Sequence, residues 1–262
     1  MPFIQFLEPL IVPFMFTLSR VVGIFLFTPL LTSVAVPRTA MALFVFFLAL
    51  AIFPSAPPSY FATPIPLDLG SLAFVMFSEL LIGLSIGLIA IMPVFVMQMA
   101  GYLMGYQMGL GLAQAFNPEM EGSSDVVSQM MFILGITAYV AAGGIDLVFI
   151  SLITTFERIP VGGFAADHVP LELLVSLIGS GFELSLRLAA PVIGAIMLSL
   201  ISMGFVMKTM PQINILSVGF AAKILTGLSI FAIALGTIDS VLRDESLAML
   251  HELVLWSDGL TP

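Results

Sequence analysis

The sequence predicts an all-α membrane protein, organised as a single integral membrane domain over residues 1–262. Three observations carry that reading. Hydrophobic residues fill 60% of the 262 positions and charged residues only 9%, against about 25% charged in a water-soluble domain. No charged side chain occurs from residue 80 to residue 118, and further uncharged stretches cover 39–67, 126–145 and 188–207. Several apolar segments approach or exceed the roughly 20 residues with which a helix crosses a bilayer.

Taken in order, the first apolar segment is 10–31, and the residues before it contain no Lys or Arg. A cleaved secretory signal begins with positive charge, so this segment is expected to remain and to act as its own insertion signal. Segment 40–53 is short for a span. Pro57, Pro58, Pro64 and Pro66 make 55–66 a loop. Segment 69–100 is long and contains Pro93; an interior proline removes a helix hydrogen bond and clashes with the preceding turn, which predicts a kink. A polar, acidic break follows at 117–125, with Pro118 and Gly122. Segments 126–142 and 147–156 come next, the second of them short, and then a break at 158–170 rich in Gly and Pro. Segment 171–206 is long and contains Pro191, a short polar break surrounds Pro211, and 213–242 is again long. The tail from 247 to 262 reads as an amphipathic helix ending at Gly259. No internal repeat is evident, which disfavours the inverted-repeat plan of many transporters. Arg38 and Lys208 fit one side of a membrane and Arg158 and Arg243 the other, without the clear basic bias of ordinary cytoplasmic loops.

The composition excludes several classes. The net charge of −9 argues against nucleic acid or an anionic lipid surface as main partner, since both are met by clustered Lys and Arg. There is no cysteine, so disulfides, thiolate metal sites and a cysteine nucleophile are out. His168 and His251 lack metal-ligand companions, and no nucleophile elbow, phosphate loop or dinucleotide fingerprint occurs. An enzyme is not expected, and neither is a cofactor.

Charged residues set within apolar segments include Arg20, Glu79, Glu183, Arg187, Lys223 and Asp239. Such groups are costly in lipid and face a partner or water. Glu183 with Arg187, and Asp239 with Arg243, have the favourable i, i+4 order and read as local neutralisation. Arg20, Glu79 and Lys223 have no local partner. They pair with each other, pair with another subunit, or face an aqueous lumen.

Gly101, Gly105 and Gly109 recur every four residues, and Gly83 and Gly87 repeat the spacing. Small residues on one face let a second backbone approach closely. Methionines cluster at Met92, Met97, Met99, Met104, Met108, Met120, Met130 and Met131, and again at Met197, Met203, Met207 and Met210. Their deformable thioethers suit ordinary apolar packing or, around a channel, a compliant seal.

Three stretches together carry a resemblance. The first is Arg20-Val21-Val22-Gly23, followed by Pro29-Leu30 and Val36-Pro37-Arg38. The second is Glu79 through Gly83 and Gly87, leading into the glycine-rich run to Gly111. The third is Ala190-Pro191, then Met203-Gly204-Phe205, then Met210-Pro211-Gln212-Ile213-Asn214. Their order and spacing over nearly the whole chain resemble the FliR family, membrane subunits of the flagellar export gate with counterparts in type III secretion injectisomes. Lys208 departs from the arginine that the family pattern leads one to expect there. Charge is kept, but the planar bidentate fork is lost.

The resemblance implies long, bent helical hairpins: a FliP-like part over 1–160 joined to a FliQ-like hairpin over 170–245, with a C-terminal tail at 246–262. It implies FliP-like and FliQ-like partners, FlhB- and FlhA-like components, unfolded export substrates, and a place in the bacterial inner membrane at the flagellar basal body. It also implies a plug at about 109–122, with Gly109, Leu110, Gly111, Leu112, Phe116 and Met120 in the seal. Arg20, Arg38, Glu79, Lys208 and Lys223 would be intersubunit or lumenal charges. Two competitors remain at this point. One is a secondary transporter or ion channel, which needs Arg20, Glu79 and Lys223 to converge near the membrane centre. The other is an assembly scaffold without lumen contact.

Overall fold

In a computed structural model the described residues are 2–27, 37–61, 68–110, 126–163, 170–210 and 215–259. Among them the chain forms seven α-helices and no strand: α1 (Pro2–Phe25), α2 (Arg38–Ile52), α3 (Leu69–Met108), α4 (Val126–Ala141), α5 (Gly144–Arg158), α6 (Leu171–Thr209) and α7 (Ile215–Gly259). Two short 3-10 turns, Phe53–Ser55 and Pro58–Phe61, lie in the proline-rich segment.

Local chemistry sets most of the boundaries. Pro37 is extended (φ −58°, ψ 136°) and launches α2. Asp68 Oδ2 accepts from the Ser71 backbone N–H at 3.1 Å at the start of α3, the usual task of an N-terminal cap. Hydrogen bonding from Ser71, through its side chain first and then its backbone, holds the Asp68 carboxyl below the ordinary carboxylate range. Helix α3 ends at Gly109, whose φ of 83° is left-handed. There the Gly109 N–H donates to Tyr106 O at 3.0 Å and the Leu110 N–H to Gly105 O at 3.1 Å, the pair of bonds that closes a helix around a left-handed glycine. Gly143, with φ 76°, separates α4 from α5, and the two helices bend by 60°.

The glycine-rich run after residue 100 is helical, as its four-residue spacing predicts, and extends α3 to Met108. The tail expected as a separate amphipathic helix continues α7 without a break to Gly259. Pro93 and Pro191 are carried within continuous helices. By length and composition four described segments are able to cross a membrane: Arg38–Ser55, Leu69–Met108, Leu171–Thr209 and Val218–Gly236. The bent pair α4–α5 makes a fifth if it counts as one broken span.

The chain divides into two compact units that cut across the long helices. The first comprises Met1–Met92, Gly143–Leu177 and Leu247–Pro262. In it Phe14 meets Phe46 and Phe53 edge-on at 5.5 and 5.8 Å, and Phe25 meets Phe44 at 5.7 Å, which locks α2 and its following turn to α1. Gly23, Gly83 and Gly87 form a backbone-on-backbone crossing of α1 and α3. A Cβ on Gly83 would overlap the Arg20 carbonyl oxygen, and one on Gly87 would lie 2.5 Å from Ile24 O. Val21, Ile24, Ile82, Ile86 and Ile89 are buried around that crossing. The last turns of α7 contribute Leu250 and Leu253 to the core of this unit.

The second unit comprises Pro93–Ala142 and Ile178–Ser246. Its centre is the C-terminal half of α3. Gly101 receives Ser128 and Met131 of α4, and Gly135 of α4 receives Met97. Ser128 Oγ donates to Gln98 O at 3.2 Å. On another side Ser185 Oγ of α6 donates to Val96 O at 3.0 Å, next to Gly181, where a Cβ would lie 3.0 Å from Val96 Cγ2. The most apolar window of α3 is 67% buried, whereas those of α6 and α7 are 11% buried. Helix α3 is therefore a core element, while Leu186, Leu198, Ile201 and Phe205 of α6 and Leu225 and Ile233 of α7 stand exposed. Apolar surface on that scale is covered by lipid or by another chain.

Candidate functional site

Two places gather the residues that the sequence singles out, one in each unit. In the first unit, Arg20 on α1 and Glu79 on α3 meet one turn before the glycine crossing. Their side chains are 2.7 Å apart and 0% exposed. The close approach of the two backbones at Gly83 is what brings a charge from each helix into contact. Tyr60 O–H donates to the same Glu79 Oε2 at 3.0 Å, and the Gly162 N–H donates to Oε1 at 3.4 Å. Arg20 Nη2 donates to Ile159 O at 3.4 Å. Its guanidinium lies over the Tyr60 ring at 4.9 Å and the Phe156 ring at 4.6 Å, so aromatic faces as well as oxygens meet the cation.

The cluster ties four pieces of chain together: α1, the Pro58–Phe61 turn, α3 and the segment after α5. The Val161 N–H, which donates to Tyr60 O at 2.9 Å, adds a backbone tie between two of them. Burial pushes the Tyr60 phenol well above its usual range, with Arg20 opposing and Glu79 adding to the rise. The phenol therefore stays a protonated donor. The positive φ of Gly162, 73°, turns the chain so that its N–H points at Glu79. The buried pair is neutralised in place, while Arg20 Nη1 has no hydrogen-bond partner among the described residues.

In the second unit, Met97, Met104 and Met108 of α3 are 1%, 0% and 0% exposed. They occupy one face of the helix, and that row ends at the Gly109 cap. Gln107 Nε2 lies 3.8 Å from Met197 Sδ of α6. Gly109 and Leu110, at the start of the expected plug, are partly buried. Gly111, Leu112, Phe116 and Met120 lie outside the described residues, as do Pro29, Pro211, Gln212 and Asn214.

The structure brings Arg20 and Glu79 together within the first unit. Lys223 belongs to the second unit, is half-buried, and has no ion-pair partner among the described residues. Arg38 and Lys208 are exposed near the start of α2 and the end of α6. Glu183 and Arg187 pair at 2.6 Å, exposed by 65% and 70%; the side chains of Asp239 and Arg243 lie outside the described set. Of the motif residues, Pro37 launches α2, Gly23 serves the crossing, and Pro191 and Gly204 are exposed on α6. A Cβ on Gly204 would meet nothing within 4 Å. Sequence reasoning missed Tyr60, Phe156 and Gly162. The only cue to them was an aromatic residue inside a proline-rich loop, opposite two charges that lacked local partners.

Comparison with known proteins adds the following. The family described as bacterial export proteins, family 1, matches residues 11–249. The flagellar biosynthetic protein FliR of Caulobacter vibrioides is 29% identical over 227 residues, which cover 87% of this chain and 90% of that protein. The FliR of Bacillus subtilis is 26% identical over 236 residues, 88% of this chain and 89% of its own. The Yop proteins translocation protein T of Yersinia pestis is 22% identical over 170 residues, 64% of each chain.

Proposed function

The chain belongs to the bacterial export proteins, family 1, and we propose that it is a non-enzymatic subunit of the flagellar type III protein-export gate. It is a helical membrane protein of the flagellar and type III export machinery. In the finer reading it sits in the inner membrane at the basal body and assembles with FliP-like and FliQ-like subunits and FlhB- and FlhA-like components. There it helps form and plug the channel for unfolded flagellar proteins. Residues 1–160 act as the FliP-like part and 170–245 as the FliQ-like hairpin.

The observation that carries this reading is the extent of the family match, 239 of 262 positions counted from 11 to 249. The flagellar rather than the injectisome role is favoured by higher identity and broader coverage, 29% over 87% of the chain against 22% over 64%. Two physical features support a place inside an assembly. The exposed apolar faces of α6 and α7 call for a covering partner or lipid, and the exposed Glu183–Arg187 pair sits within an apolar span where lipid is a poor neighbour.

In the plug reading, residues 109–122 leave α3 at the Gly109 cap and close the lumen. The apolar side chains of that loop supply a compliant seal. Exposed Arg38 and Lys208 and half-buried Lys223 serve neighbouring subunits or the lumen. The transporter alternative loses ground, because it needs three charges at one site and two of them neutralise each other in the first unit.

The test is a strain lacking this chain, complemented with wild type and with a deletion of residues 110–116. Secretion of flagellar components and membrane leak of small ions are both measured. The proposal expects that loss of the chain abolishes secretion, while the deletion supports export but leaks. Secretion untouched by loss of the chain would sink it.

A further inference from the structure

We propose that the free end of the α6–α7 pair is a docking surface for an acidic, apolar helix of a neighbouring protein in the gate, with Lys208 and Lys223 receiving its carboxylates; this rests on reading the chain as a gate subunit. Two contacts within the second unit fix where α3 stops beside the pair. Gln107 Nε2 lies 3.8 Å from Met197 Sδ of α6, and a Cβ on Gly227 of α7 would lie 2.7 Å from Met108 Cγ. Met197 and Gly227 therefore flank the last turn of α3. Helix α6 continues from there to Thr209, and α7 begins at Ile215. Each thus runs about twelve residues past α3, a length of about 18 Å. The two helices still touch over this stretch, where a Cβ on Gly219 would lie 3.7 Å from Met203 Cε.

Burial changes at the same level. Up to Ile196, α6 has a buried stripe through Ser185, Ala189 and Val192. Beyond it, no residue of 198–210 or of 218–226 is buried. Phe205 is 72% exposed and Leu225 67%. The charge on this end has one sign. From 188 to 238 the only charged residues are Lys208 and Lys223, in a chain whose net charge is −9. Lys208 is exposed and Lys223 half-buried, and neither has an ion-pair partner among the described residues. The next acid along α7, Asp239, is about 24 Å from Lys223 along the helix, out of reach.

An apolar surface with two unopposed cations is complementary to a partner that brings apolar side chains and carboxylates together. Counted by helical rise, Lys208 stands about 16 Å past the end of α3 and Lys223 about 6 Å. The carboxylates are therefore needed at two levels about 10 Å apart, which acids about seven residues apart on one helix supply. Anionic lipid fits less well. Lipid-binding basic patches gather about four to eight Lys or Arg, and this end carries two. A headgroup layer is about 5–8 Å deep, so a layer that meets Lys208 leaves Lys223 at the depth of hydrocarbon, where an unpaired cation is costly. A second copy of this chain fits no better, because its own hairpin brings two lysines and no acid.

The test uses the complete gate, with this chain tagged and the FliP-like, FliQ-like, FlhB-like and FlhA-like components co-expressed. A photo-crosslinking phenylalanine analogue is placed at Phe205 and, separately, at Leu225, and the adducts are identified by mass spectrometry. The same complexes are prepared with Lys208→Glu, with Lys223→Glu and with both. The proposal expects an adduct to an acidic stretch of a co-expressed subunit. It expects the yield of that adduct to fall about tenfold or more in the double variant, where like charges are juxtaposed. Exchanging the acids of the crosslinked stretch for Lys then restores the adduct in the double variant. A merely structural role of the two lysines would give no such rescue by swapped signs.

Adducts to lipid alone overturn the proposal, and so does an adduct to this chain's own acidic break at 117–125. A protein adduct whose yield survives both reversals overturns it as well. Should the double variant fail to accumulate, Lys208→Gln with Lys223→Gln decides in its place, because it adds no repulsion: an unchanged adduct overturns the proposal, and a reduced one supports it. The gate reading fails separately. If the wild-type chain recovers none of the co-expressed components, that reading is overturned and the docking surface with it; if it recovers them and neither position gives a protein adduct, only the docking surface is overturned.

Discussion

Removing the Glu79 carboxylate alone is expected to cost more than removing both members of the Arg20–Glu79 pair. Both side chains are 0% exposed, so Glu79→Ala leaves a buried guanidinium whose remaining contacts among the described residues are the Tyr60 and Phe156 rings and the Ile159 carbonyl. It also strips the acceptor from Tyr60 O–H and from the Gly162 N–H. Two unit charges about 4 Å apart at an effective dielectric of about 20 attract by about 4 kcal/mol, and breaking a buried pair from one side costs about 3–5 kcal/mol. Even the lower figure is more than about a hundredfold in the folded population. Replacing both partners with apolar residues of similar volume, Arg20→Met with Glu79→Leu, removes the uncompensated charge and is expected to restore most of that loss. The assay is recovery of the subunit in the purified complex, with thermal unfolding of that complex in detergent as a second reading. The reasoning fails if Glu79→Ala accumulates at the wild-type level, or if the double variant is no better than Glu79→Ala.

Three further outcomes follow from the same geometry. Gly83→Ala forces a methyl into the Arg20 carbonyl oxygen and is expected to destabilise the first unit by about 1–3 kcal/mol or more, read as loss of subunit recovery; Gly204→Ala, with open space around it, should leave the fold of this chain unchanged, so any defect in export would mark a neighbouring chain at that face. Tyr60→Phe keeps the ring over Arg20 but removes one donor to Glu79 and should lower stability by about 0.5–1.5 kcal/mol, whereas Tyr60→Ala also removes the ring that packs against both Arg20 and Phe156 and should cost about 3–5 kcal/mol, as thermal shifts of the purified complex will show. Neutralising the exposed Glu183–Arg187 pair with Gln at both positions should change stability by less than about 1 kcal/mol, so a clear drop in flagellar secretion from that variant would locate a partner at this face of α6.

The composition and the spacing of breaks determined the class of molecule and most of its helices. A run without charge from residue 80 to 118 cannot be solvated as a surface, and proline, glycine and short polar clusters must end helices wherever the backbone needs caps or left-handed turns. Local chemistry of this kind is complete within a few residues, so the sequence displays it directly. The resemblance to FliR likewise rested on local motifs in order, and the family match over 11–249 bears it out. The length of α7 was not legible, because charge and a hydropathy dip near residue 243 resemble a break while the helix backbone continues to Gly259.

What only the tertiary structure decided is which distant residues meet. Arg20 and Glu79 stand 59 positions apart, and the sequence left three outcomes open for them. The crossing at Gly23, Gly83 and Gly87 selected one, because helices that touch backbone to backbone place these two side chains within hydrogen-bond reach and out of water. The enclosure by Tyr60, Phe156 and Gly162, and the seat of Met108 on Gly227, depend in the same way on how faces pack. A periodic pattern shows that a helix has a buried face; the identity of what fills it is set by the shape of the neighbour.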